Sequence, residues 1–234
     1  MSGDSVSSSE RRSFLTRLNA GLASLLSISG VAMAQSNSPA AARWEPARHD
    51  KDDWLDKPAS KHRLVFDTTS FNGAGDALLF ANNFIRTQKA DYGLEAGDLA
   101  VVIILRHRST SLAYHDRMWA KYGAPLAARS KFEDPKTKEA PKVNLYNAAG
   151  YGELTPNRGT TLDALAKLGV QFAACSSSTR AFSSAIAAAT GGNAEAIFSE
   201  LTGNLVNNAR MVPAGIIALN RAQERGYALA SCAG

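Results

Sequence analysis

Leu99-Ala100-Val101-Val102-Ile103-Ile104-Leu105 is seven apolar residues in succession, four of them β-branched. The run is too short for an ordinary helix and lacks the polar alternation of a strand wet on one face. It predicts a parallel strand buried on both faces. Working toward the N-terminus, 62–67 predicts a short strand and Asn72-Gly73-Ala74-Gly75 a turn. Residues 76–89 predict a helix with Leu78, Leu79, Ala81, Phe84 and Ile85 at helical spacing. Toward the C-terminus, helices are predicted at 111–122, 161–168, 177–189, 193–205 and 213–225. Strands are predicted at 170–174, 210–212 and 227–230. The stretch 123–158, broken by Pro and Gly, reads as a long loop of the kind used as a lid or a subunit contact. Strand and helix alternate throughout, so the expected fold class is α/β. Its expected form is an open, mostly parallel sheet of about five strands with helices on both faces, a three-layer α/β/α sandwich.

The first 34 residues form a separate object. A polar start leads to Arg11-Arg12-Ser13-Phe14-Leu15, then to a mildly apolar run over 18–31, then to Ala32-Met33-Ala34 before Gln35. A basic region, an apolar region and a small-x-small site in that order predict a cleaved secretory signal. The paired Arg11 and Arg12 place it in the twin-arginine class, with the export machinery of that route as a partner. Cleavage is expected between Ala34 and Gln35. The apolar run is shorter than the roughly 20 residues that span a bilayer, so a soluble periplasmic protein without a membrane anchor is expected. Residues 35–60 read as a polar extension whose Trp44 and Trp54 could pack on the domain surface, and 61–234 as the domain itself.

The formal net charge of +5 falls by one when a segment with three Arg and two acidic residues is removed. The remaining excess is spread along the chain, without the basic block that tracks a nucleic-acid backbone, so no nucleic-acid partner is expected. The two cysteines, Cys175 and Cys232, make neither a C-x-x-C nor a zinc pattern. H-E-x-x-H is absent too, and no metal or cofactor is expected.

In open α/β sheets, ligands gather beyond the carboxyl ends of the strands. Those ends carry Asp67-Thr68-Thr69-Ser70, Arg106-His107-Arg108, Cys175-Ser176-Ser177-Ser178-Thr179-Arg180 and Ser231-Cys232. Cys175 leaves a buried strand where a helix begins. Helix N-terminal amides favour a thiolate, and Arg180 lies about one turn into that helix. Cys175 is thus a candidate nucleophile, although free cysteines are commonly buried structural residues. Arg106 and His107 could bind an anion or support a base. Gly73-Ala74-Gly75 lacks the third glycine of a dinucleotide fingerprint, and Ser176 to Ser178 is no nucleophile elbow. Tyr114, His115 and Trp119 read as helix packing. A direct Cys175–Cys232 disulfide is not expected, because the strand at 210–212 should lie between the two strands that bear them.

The segment Val170-Gln171-Phe172-Ala173-Ala174-Cys175-Ser176-Ser177-Ser178-Thr179-Arg180 resembles the cysteine segment of the DsrE/DsrF-like sulfur-relay family. Arg210-Met211-Val212-Pro213-Ala214-Gly215, the stretch from Ala222 to Tyr227, Leu105-Arg106-His107 and Met118-Trp119-Ala120-Lys121-Tyr122 are similar to exported members of that family. The resemblance covers roughly 61–230. It implies a flavodoxin-like sandwich that assembles into trimers or hexamers. It also implies a persulfide-carrying cysteine at Cys175 that passes sulfur to a thiol partner protein. Export and Cys232 both depart from the cytoplasmic members of the family. Two functions follow as expectations. One is a sulfur carrier or sulfurtransferase-like protein using Cys175. The other is a non-catalytic oligomeric periplasmic binding protein in which Cys175 is structural. Exposure of Cys175 separates them, since a carrier needs an accessible thiol.

Overall fold

The computed structural model describes residues 44–57 and 59–232. The predicted signal, with Arg11, Arg12, Ala34 and Gln35, lies outside the described residues, as do 35–43. Pro46–Gly234 forms one compact unit. Five parallel strands, β1 (His62–Thr68), β2 (Leu99–Leu105), β3 (Gln171–Cys175), β4 (Ala209–Val212) and β5 (Ala228–Cys232), lie in the order β4-β3-β2-β1-β5. The fold is the expected three-layer α/β/α sandwich. β2 is the middle strand and all seven of its residues are buried, which explains the unbroken apolar run. Leu99, Val101, Ile103 and Leu105 enter one core, and Ala100, Val102 and Ile104 enter the other.

The strand order decides which helices cover which face. From β1 to β4 each crossover steps in the same direction, and right-handed crossovers then place their helices on one side. That side holds α1 (Phe71–Tyr92), α2 (Asp116–Ser130), α3 (Leu162–Lys167), α4 (Ser176–Thr190) and α5 (Ala194–Thr202), which share the larger core with Phe66 and Phe172. The return from β4 to β5 runs the other way and puts α6 (Gly215–Glu224) on the opposite face. A 3-10 turn over Asp50–Leu55 joins α6 there. Leu55 is fully buried, the Tyr227 hydroxyl donates to the Leu55 carbonyl at 2.8 Å, and Arg210 stacks over the Trp54 ring at 4.8 Å.

Three local expectations need correction. Asn72-Gly73-Ala74-Gly75 is no turn but the start of α1: the Ser70 side chain caps the helix by accepting from the Gly73 amide at 2.9 Å. Gly75 sits there because an added Cβ would come within 2.5 Å of the Tyr146 hydroxyl and 2.9 Å of Pro156 Cβ. The helix expected at 111–122 is displaced. A 3-10 segment covers His107–Ala113, and α2 continues through Pro125 to Ser130. Tyr122, at φ −122° and ψ 19°, breaks the helix three residues before Pro125, so the proline falls in the first turn of the following segment, where its missing N–H is tolerated. The rest of the predicted long loop is pinned to the core. The Tyr146 hydroxyl donates to the Phe71 carbonyl at 2.8 Å, and the Asn144 amide donates to the carbonyls of Leu112 and Tyr114.

Candidate functional site

The carboxyl ends of β1, β2 and β3 bring most of the predicted residues to one edge. Arg106 follows β2 and lies one step beyond the Leu105–Ala174 pair, hence beside Cys175. Its guanidinium makes a two-pronged bond with the Asp67 carboxylate, Nε at 2.7 Å and Nη2 at 2.8 Å. This bond and the nearby Cys175 raise the Arg106 pKa still further. α6 begins directly over Arg106: a Cβ on Gly215 would meet Arg106 Cβ at 2.6 Å and Ile104 Cγ2 at 3.1 Å. Glycine is what allows that approach.

Cys175 is the N-cap of α4. Its sulfur accepts from the Ser178 amide at 3.4 Å, and its carbonyl accepts from the Thr179 hydroxyl at 3.0 Å. The residue is only 5% exposed. The predicted helper Arg180 is engaged elsewhere, paired with Glu195 on α5 at 3.1 Å and stacked on the Phe198 ring at 4.1 Å. Arg106, from the neighbouring strand, is the cation whose charge reaches Cys175. Reading along the chain favours Arg180, whereas sheet register brings Arg106.

Cys232 ends β5, opposite Thr68 of β1. Both cysteines are free. The expected reason for their separation was wrong, since β4 is an edge strand and does not lie between them. β2 and β1 do, which puts three strand spacings, about 14 Å, between β3 and β5 and exceeds disulfide reach. Burial, helped by the negative charges of Asp76 and Asp67, pushes the Cys232 thiol pKa up.

His107 adopts a left-handed backbone, φ 56°, at the exit from β2. Such a conformation is uncommon in a residue with a side chain. Its amide donates to the Ser178 hydroxyl at 3.0 Å. Ser178 therefore bonds to Cys175 with its backbone and to the 107 turn with its side chain. Beside this junction, between α2 and α4, opens a cleft of about 510 Å³. Its rim carries His107, Arg108, Arg129 and Lys131, and Phe182 and Ala185 form part of its floor. Arg129 stacks over Phe182 at 5.2 Å. Tyr114 and Trp119, both buried, support the same core. Among the described residues no group of His, Cys, Asp and Glu is arranged to hold a metal ion, and no helix is long and apolar enough to cross a membrane.

Desolvation and the positive charges of Arg108, Arg129 and Arg106 hold the His107 pKa below its ordinary value. The folded protein thus binds this proton less readily than the unfolded chain does. The stability linked to His107 is present above the unfolded pKa of about 6.5 and is lost as pH falls through the folded value. Proton NMR titration should give a His107 midpoint below about 6.5, rising when Arg129 is replaced by Gln. An unchanged midpoint in Arg129→Gln would show that the cleft cations do not act on this imidazole.

No family model matches the chain, and no curated protein matches it. Among solved structures, a protein of unknown function from Methanobacterium thermoautotrophicum is similar at 15% identity. The match covers 73% of this chain and 99% of that chain, with a TM-score of 0.37.

Proposed function

We propose that this chain is an exported, oligomeric, non-catalytic binding protein that works in the periplasm, with its ligand site at the carboxyl edge of the sheet and Cys175 in a structural role. The observation that carries this reading is the state of Cys175. At 5% exposure, with its sulfur serving as the cap of α4, it is a buried helix cap rather than a presented nucleophile. The cleft beside it supplies the space that a bound small molecule needs.

A second reading keeps the resemblance to the sulfur-relay family. It takes Cys175 as a persulfide acceptor that passes sulfur to a thiol partner. The Ser178 amide on the sulfur and the positive charge of Arg106 favour it, because amide donors and cations are the surroundings of reactive thiols. One experiment separates the two. With iodoacetamide at neutral pH, the binding-protein reading expects neither cysteine of the native protein to label, and both to label in guanidinium. Mass spectrometry that finds Cys175 labelled in the native protein, and persulfidated after exposure to a sulfane-sulfur donor, would replace the first reading with the second.

A further inference from the structure

We infer that the cleft between α2 and α4 binds an organic anion that joins a charged head to an apolar body of about two rings. This deepens the proposed binding function and rests on it for the role of the cleft. The charge pattern of the rim is the first observation. Arg106, Lys121, Arg180, Arg221 and Arg225 all have carboxylate partners. Among the described residues, Arg108, Arg129 and Lys131 have none, as is true also of Arg86, Arg117, Lys142 and Lys167, but these three line one cavity that no Asp or Glu lines. Glu133 lies in an adjoining recess that shares Arg108 and Lys131, and makes no ion pair with either among the described residues. Cations held together repel one another, and the charges of Arg108 and Arg129 add to desolvation in lowering the His107 pKa. A bound anion relieves the repulsion.

The second observation is the floor. Pro125, Ala128, Phe182, Ala185 and Ala189 line the cleft with apolar surface beside its cations. A volume of about 510 Å³ exceeds what a bare sulfate or phosphate fills and lies in the range of small-molecule sites. Small alanines along α4 leave the width for a flat body beside Arg129, whose guanidinium lies over the buried Phe182 ring. Few charged groups placed over an apolar floor fix one end of a ligand and bury the other. The lining is thus suited to a sulfonate, carboxylate or phosphate ester of an aromatic or alicyclic compound.

The test titrates the full chain by calorimetry with naphthalene-2-sulfonate, inorganic sulfate and the uncharged 2-naphthalenemethanol. The sulfonate should bind at one site per chain, at least about tenfold more tightly than either part alone. Arg129→Gln or Arg108→Gln should weaken it by about tenfold, the scale of one charged hydrogen bond. Neither side chain makes a side-chain hydrogen bond or ion pair among the described residues, and an unchanged melting temperature would confirm retained folding. Ala185→Leu, which fills the floor and leaves the rim charges in place, should abolish binding. The inference is overturned if the sulfonate binds no better than the neutral alcohol, or if all three variants bind it as the parent does. Labelling of native Cys175 would remove the structural role proposed for that residue without touching this result, so the two failures are distinguishable.

Discussion

Changing Arg11 and Arg12 together to lysine is expected to leave the full-length chain in the cytoplasm, whereas the parent chain is expected in the periplasm, beginning at Gln35. The expectation rests on Ser9-Glu10-Arg11-Arg12-Ser13-Phe14-Leu15 and on Ala32-Met33-Ala34. Lysine keeps the positive charge of the segment and alters only the identity of the pair. A receptor-read address should fail under that change, while a charge-driven membrane association should not. The effect is close to all or none. Cell fractionation with N-terminal sequencing of the purified protein reads it directly. Export of the double lysine variant at the parental level would discard the twin-arginine assignment. A parent chain found intact in the cytoplasm of its native host would discard export itself.

The second large effect is expected at Asp67. Its carboxylate, 11% exposed, receives both prongs of the Arg106 guanidinium. Asp67→Ala would leave a largely buried cation without its partner under the first turn of α6. The cost of stranding one member of a buried pair is about 3 kcal/mol. For a domain of this size that corresponds to a fall of roughly 6 to 12 °C in melting temperature. Replacing both residues, Asp67→Ala with Arg106→Met, should recover most of the loss, because the apolar stem remains and no charge is left to desolvate. Thermal melts of the two variants and the parent decide it. A double variant as unstable as the single one would mean that the Arg106 side chain contributes something other than its charge.

Legibility in the sequence followed local physics. β2 was readable because burial on both faces imposes an unbroken apolar run. The helices α4 and α6 were readable because strand ends, caps and glycines frame them. Asn72 to Gly75 misled because its two glycines look like a turn, while Gly75 is there to clear Tyr146 and Pro156, contacts from far along the chain. Pro125 misled because a proline ordinarily ends a helix, and the break at Tyr122 that accommodates it leaves no mark in composition. The same error hid half of the cleft. Arg129 and Lys131 fell in a stretch read as loop, and only the continuation of α2 to Ser130 carries them toward His107 and Arg108. Cys175, Arg106 and His107 could be placed at one edge from the sequence because the rule about strand ends needs only the strands. The pairing of Arg180 with Glu195 was not legible, because it depends on how α5 folds back on α4.

The place of β5 has a consequence for synthesis. The first strand of the sheet pairs with the last, Leu64 with Ala228 through Thr68 with Cys232. A ribosome that has made β1 to β4 has produced four strands that can already assemble, yet one side of β1 still offers open backbone donors and acceptors. That side is covered only when β5 has been made. Until then the open edge belongs to β1, and afterwards it belongs to β5, since the finished sheet keeps an edge strand at each end. Loss of β5 would move that edge to β1 and uncover its buried residues Val65 to Thr68, so a chain lacking Ala228–Cys232 should be markedly less stable and more prone to aggregate.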